Sequence, residues 1–193
     1  GRSLEEYAAQ SGRTVEQAKG DYDRLMGAQN EVMKNAEQAY KNAGMSQNEY
    51  METVTSFSAS LIKGLGGDTV EAARYADMAI VDMSDNANKM GTDISSIQDA
   101  YQGFAKQNYT MLDNLKLGYG GTQSEMAKLI NDSGVLGDAM TVTAETVNDV
   151  SFDKIVEAIH VIQERMDIAG TTSEEAATTI EGSMGMVGAA WEN

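Results

Sequence analysis

The sequence predicts an all-α fold: one long N-terminal amphipathic helix followed by a multi-helix bundle. Three observations carry that prediction. None of the 193 residues is proline, the residue that most disrupts a helix interior. Apolar residues recur at three- and four-residue steps along most of the chain, the period of a helix with one buried face. Ser, Thr or Asp stands three residues ahead of Glu at repeated points, the spacing of a capping box that satisfies the free N–H groups of a first helical turn.

The elements follow in order. Ser3 and Glu6 have capping-box spacing and predict a short helix ending near Gly12. From Thr14 to Ala43 the chain follows a heptad. Val15, Tyr22, Gln29 and Ala36 share one core position, and Ala18, Leu25, Val32 and Ala39 share the other. About four heptads of this kind fit either a coiled coil with a second copy or an amphipathic helix packed on its own domain. Gln29 at a core position is a device for setting register or oligomeric state. Gly20 and Gly27 fall on the outer face, each weakening the helix by about 1 kcal/mol.

Ser46 and Glu49 cap the next helix, with Tyr50, Val54, Phe57 and Leu61 as its stripe, and Gly64, Gly66 and Gly67 stop it. Asp68 and Glu71 cap another, with Ala73, Ala76, Ile80, Met83, Ala87 and Met90 inward and Gly91 at its end. Thr92 or Asp93 opens a helix with Ile94, Ile97, Tyr101 and Phe104 inward. Leu112 and Leu115 form one turn, and Gly118 to Gly121 form a loop. Thr122 and Glu125 cap a short helix through Met126, Leu129 and Ile130. Val142, Ala144 and Val147 have strand propensity, but with no partner strand in the sequence a loop or helix is expected there. Ser151 or Phe152 begins a helix with Phe152, Ile155, Ile159, Ile162 and Met166 inward, ending at Gly170. Thr172 and Glu175 cap the last one, with Ala176, Ile180, Met184, Val187 and Trp191 as its stripe.

Composition excludes several chemistries. The chain has no cysteine and one histidine. Disulfides, thiol nucleophiles, thiolate metal sites and multi-histidine metal sites within the chain are therefore excluded. The formal net charge is −16, so the basic footprint of a nucleic-acid binder is absent. The charge is uneven: residues 1–43 carry a net −1 and residues 44–193 a net −15. That shift places an expected boundary near Gly44, with a helical or coiled-coil flank at 1–43 and an acidic helical bundle domain at 44–193. The longest apolar runs, such as Met78 to Val81, are far short of the roughly 20 residues of a membrane span. The polar start does not have the pattern expected of a signal peptide. Beginning with Gly1, the chain reads as a piece of a longer protein.

Three clusters invite a chemical reading. His160 lies three and four residues from Glu157 and Glu164 on one helix face, and a surface histidine in local ion pairs is expected. Asp82, Asp85, Asn86, Asn88 and Asp93 gather around Gly91 without the spacing of an EF-hand loop, and a solvated helix end is expected. The run Gly118-Tyr119-Gly120-Gly121-Thr122 lacks the Gly-Lys-Ser/Thr ending of a phosphate loop and reads as a turn into a helix. No catalytic, cofactor-binding or metal-binding residues are assigned, and the chain is expected not to be an enzyme. The 13 methionines read first as adaptable core filler and then as a plastic contact surface.

Longer phrases are more specific than these clusters. They are Gly44-Met-Ser-Gln-Asn-Glu-Tyr-Met51, Ala76-Asp-Met-Ala-Ile80, Asp82-Met-Ser-Asp-Asn-Ala-Asn-Lys-Met-Gly91 and Ile97 to Tyr109. They continue with Leu112-Asp-Asn-Leu-Lys-Leu-Gly-Tyr-Gly-Gly-Thr122, Ile155 to Ile162, Gly170-Thr-Thr172 and Ala189-Ala-Trp191. In this order they resemble the tail tape measure proteins of siphophages and prophages of Gram-positive bacteria, over about Gly44 to Trp191. The resemblance implies a structural virion component that sets tail length, with the tail tube, tail tip and tail assembly chaperones as partners. It implies a place in the lumen of the tail tube, the host cytoplasm during assembly, and a part in genome ejection. The family brings no catalytic residues to this segment. Self-association through residues 14–43 is a further expectation, from the heptad. The competing reading is a helical protein-interaction module of a bacterial secreted or surface protein.

Overall fold

A computed structural model describes residues 14–170 of the chain. The helix expected from Ser3, the last helix expected from Thr172, and the side chains of Tyr22 and Leu25 lie outside the described residues. Six α-helices are described: α1 Val15–Asn42, α2 Gln47–Gly64, α3 Thr69–Met90, α4 Ile94–Ala105, α5 Gln123–Ser133 and α6 Phe152–Arg165. Two short 3-10 turns, Leu112–Leu115 and Val147–Asp149, sit in the connections. There is no strand among the described residues, so the segment around Val142 is loop and turn, as its lack of a pairing partner requires.

The caps form as the spacing predicts. Ser46 accepts from the Glu49 amide at 3.3 Å, Asp68 from Glu71 at 3.1 Å, and Thr122 from Glu125 at 3.1 Å. Each satisfies an amide that the first helical turn leaves without a partner. Asp93 caps α4 through the Ser95 amide, while Ser151 begins α6 with no side-chain cap. The stripes Tyr50–Val54–Phe57–Leu61, Ile97–Tyr101–Phe104 and Met126–Leu129–Ile130 are buried. Leu112 and Leu115 form the predicted turn and are fully buried.

Helix α3 is the axis of the bundle. It packs against α1, α2, α4 and α6, and α5 closes the far side against α6. Its run of Ala72, Ala73, Ala76 and Ala79 is buried and lets neighbouring helices approach closely. Apolar packing crosses the change of charge near Gly44: Ala36, Ala39 and Ala43 join the same core as Tyr50, Ile80 and Ile159. The heptad positions divide accordingly. Ala18 and Ala39 turn inward and Val32 is half-buried, whereas Val15 and Gln29 remain exposed. Much of the predicted coiled-coil seam is therefore consumed within the chain, because α2 and α3 are close enough to cover it.

Two further differences from the expected pattern occur, one at a helix end and one within α1. Helix α6 stops at Arg165, not at Gly170, and Met166 is exposed rather than inward. Ile168 takes the buried place instead, its amide accepted by the Gln163 carbonyl at 2.9 Å. Gly27 is not free on an outer face either. It is half-buried, and a Cβ there would touch Val70 at the start of α3.

Candidate functional site

The densest group of polar side chains lies between α3 and α6. Asp82, Asp85 and Asn86 occupy one ridge of α3, and His160, Gln163 and Glu164 occupy the facing ridge of α6. The solvated helix end expected around Gly91 is thus corrected. Asn88 and Asp93 are exposed, but Asp82, Asp85 and Asn86 are at most 1% exposed. Helix α3 is covered on several sides, so its polar ridge goes inside along with its apolar one.

Burial of this kind requires partners, and the structure supplies them. Asn86 donates to the Leu115 carbonyl at 2.9 Å and to the Gln163 side chain at 2.8 Å, and accepts from Thr92 at 2.7 Å. Gln163 donates to the Asp82 backbone carbonyl at 3.1 Å. The Gly170 amide donates to Asp85 at 2.7 Å. Ser84 donates to the Ala43 carbonyl and ties α3 to the end of α1. The Leu115 carbonyl is one that a 3-10 turn leaves without an internal partner. Asn86 therefore closes a backbone valence as well as a side-chain one.

His160 keeps one of its two expected partners, Glu164, and gains Asp82 in place of Glu157. Its Nδ1 lies 3.0 Å from both carboxylate oxygens of Asp82, and its Nε2 lies 2.8 Å from Glu164. Glu157 instead meets Lys154 at 3.2 Å and the Tyr75 hydroxyl at 3.4 Å. The hydrogen bond to Asp82, with both neighbouring carboxylates, holds the imidazole protonated and pushes its pKa up to about 9. Burial pushes the Asp82 carboxyl up to about 6, against the opposing pull of His160. The pair is thus a charged bridge at neutral pH. The buried Tyr101 hydroxyl has no hydrogen-bond partner, and its pKa is driven well up, chiefly by burial and then by the charge of Asp82.

As chemistry, this group does one thing well: it joins two helices at fixed register. The hydrogen bonds of Asp82, Asn86, His160 and Gln163 are all made to other parts of the same chain. No group of three or more metal-ligating side chains occurs among the described residues.

The glycine-rich run is a turn into α5, as expected. The Gly120 amide is taken by the Glu125 carboxylate at 3.2 Å, an anion already occupying the place of any phosphate. Gly121 is required sterically, because a Cβ there would run into the Thr110 carbonyl. The joint of α5 is closed by Asn131, which exchanges two 2.8 Å hydrogen bonds with the Val142 backbone, and by Arg165, which donates to the Asp132 and Ser133 carbonyls. Sequence periodicity missed both Asn131 and Arg165. Their one signal is a polar residue flanking an apolar stripe at a helix end.

An apolar groove of about 400 Å³ lies between α1 and α2, lined also by Ala72 and Ala73 of α3. A more polar cleft of about 430 Å³ lies between the end of α2 and the Asn148–Phe152 segment. Comparisons with protein-family models, with curated proteins and with solved structures return no match for this chain.

Proposed function

We propose that the chain is a segment of a phage tail tape measure protein, a structural virion component acting in tail assembly and tail-length determination and leaving with the genome at ejection. One observation carries the reading. Three of the phrases that carry the resemblance supply joints of the fold. The phrase Asp82–Gly91 provides Asp82, Asp85 and Asn86, Ile155–Ile162 provides His160, and Leu112–Thr122 provides the Leu115 carbonyl and Gly121. Their distinctive residues serve helix-to-helix register, which fits a protein whose product is a shape. The strong negative charge keeps such a segment from holding the DNA that follows it. No helix among the described residues is long and apolar enough to cross a membrane. On this reading the partners are the tail tube, the tail tip and the assembly chaperones.

Mass spectrometry of purified tailed particles from the source strain tests the proposal. Peptides of this chain are expected in the particles, at far lower copy number than the tube protein. Their absence from intact particles would overturn it.

A further inference from the structure

The outer face of α1 carries an apolar line that the other described residues leave exposed. Val15, Met26 and Met33 are 46%, 36% and 54% exposed. Met26 and Met33 follow Val15 by 11 and 18 residues, about three and five helical turns, so the three side chains share one line. Met33 stands beside Met51 at the mouth of the groove between α1 and α2. Exposed methionines on a groove rim are adaptable contact residues. This line is not the buried seam of Ala18, Ala36 and Ala39. It is the adjoining sector, which also holds the exposed Gln29.

Charge selects the occupant. Residues 1–43 carry a net −1 while the remainder carries a net −15. Two copies of so acidic a chain repel one another almost everywhere except along α1. Among the described side chains, the exposed charges beside the apolar line are Lys19, Asp23, Lys34 and Glu37, all on one flank. The opposite flank turns into the protein. A two-fold axis between antiparallel helices sets a flank against its own copy. In that arrangement Lys19 meets Glu37 and Asp23 meets Lys34, each pair occurring twice. Met26 comes opposite Met33. These pairs share one midpoint to within a turn, at Gln29, whose amide both donates and accepts and so can pair with itself. Parallel packing would set the charged flank against the inward one and leave all four charges without a partner across the contact.

We infer that the exposed face of α1 is the contact surface for a second copy of this chain, packed antiparallel about a two-fold axis through Gln29. The inference rests on the surface of α1 and not on the tail-protein reading.

The test uses the whole 193-residue chain, whose lack of cysteine makes introduced thiols unambiguous reporters. At about 0.5 mM, in the range of weak contacts, sedimentation should give the mass of a dimer. Under mild oxidation Gln29→Cys should cross-link and Lys19→Cys should not. Lys34→Asp sets two acidic pairs face to face and should weaken the dimer about tenfold. The double exchange Asp23→Lys with Lys34→Asp should restore it. All four positions are exposed, so unchanged circular dichroism confirms that folding is intact. A monomer at every concentration overturns the inference. So do cross-links at both positions, which mark a parallel pair, and a dimer that Lys34→Asp leaves unchanged, which places the contact elsewhere.

Discussion

Replacing Asp82 by alanine is expected to cost about 3 kcal/mol of folding stability, the magnitude for breaking a buried ion pair from one side. The carboxylate is almost wholly buried and is the inter-helix partner of His160. Alanine removes that acceptor while leaving the imidazolium with only the more exposed Glu164. Asp82→Asn keeps an acceptor oxygen of similar shape and should cost less, about 1–2 kcal/mol, since a neutral hydrogen bond replaces a charged one. Urea unfolding of the three proteins checks the order. Equal stability of wild type and Asp82→Ala would show that the pair does not hold α3 to α6.

The second large effect is on the pH dependence of stability. His160 binds its proton more tightly in the folded chain, with a pKa of about 9 against 6.5 for a free histidine. A group whose folded pKa is raised gives stability that is fully present below the unfolded value and is lost as pH rises through the folded one. The fold should therefore lose about 2–3 kcal/mol between pH 6.5 and 9. Asp82 has the same sign in a lower window. Its carboxyl is raised by burial, so the cost of its charge grows between pH 3.8 and 6 as the unfolded chain ionises first. Replacing His160 by glutamine should flatten the curve between pH 6.5 and 9. Thermal melts across that range measure it, and a wild-type curve level through the same interval would contradict the bridge.

The capping residues and apolar stripes were legible in the sequence because both are local. A Ser, Thr or Asp three residues ahead of Glu satisfies its own first turn whatever packs above it, and Ser46, Asp68 and Thr122 all do so. A stripe such as Tyr50–Val54–Phe57–Leu61 defines a buried face without naming what covers it. The polar joint was harder to read. Asp82, Asp85 and Asn86 stand at i, i+3 and i+4, and His160, Gln163 and Glu164 repeat that spacing. Two polar ridges of equal spacing were thus present, but periodicity alone cannot show that one faces the other. Treating each helix as having one solvated side placed Asp82 in water. A helix at the centre of a bundle has little such side.

Residues 1–43 show the complementary problem. Their heptad fitted both a self-associating coil and a helix packed at home. Which one forms depends on whether α2 and α3 come near enough to cover the seam. The structure puts Ala36, Ala39 and Ala43 in the common core and leaves Val15, Met26 and Met33 outside it. One helix therefore packs at home on one face and leaves another exposed.

The most direct test of the proposed role is in-frame removal of residues 15–170 from the full reading frame, followed by electron microscopy of the particles produced. A length-setting segment predicts tails measurably shorter than those of the parent, because the length of protein lying along the tube is reduced. Tails of unchanged length would contradict the account.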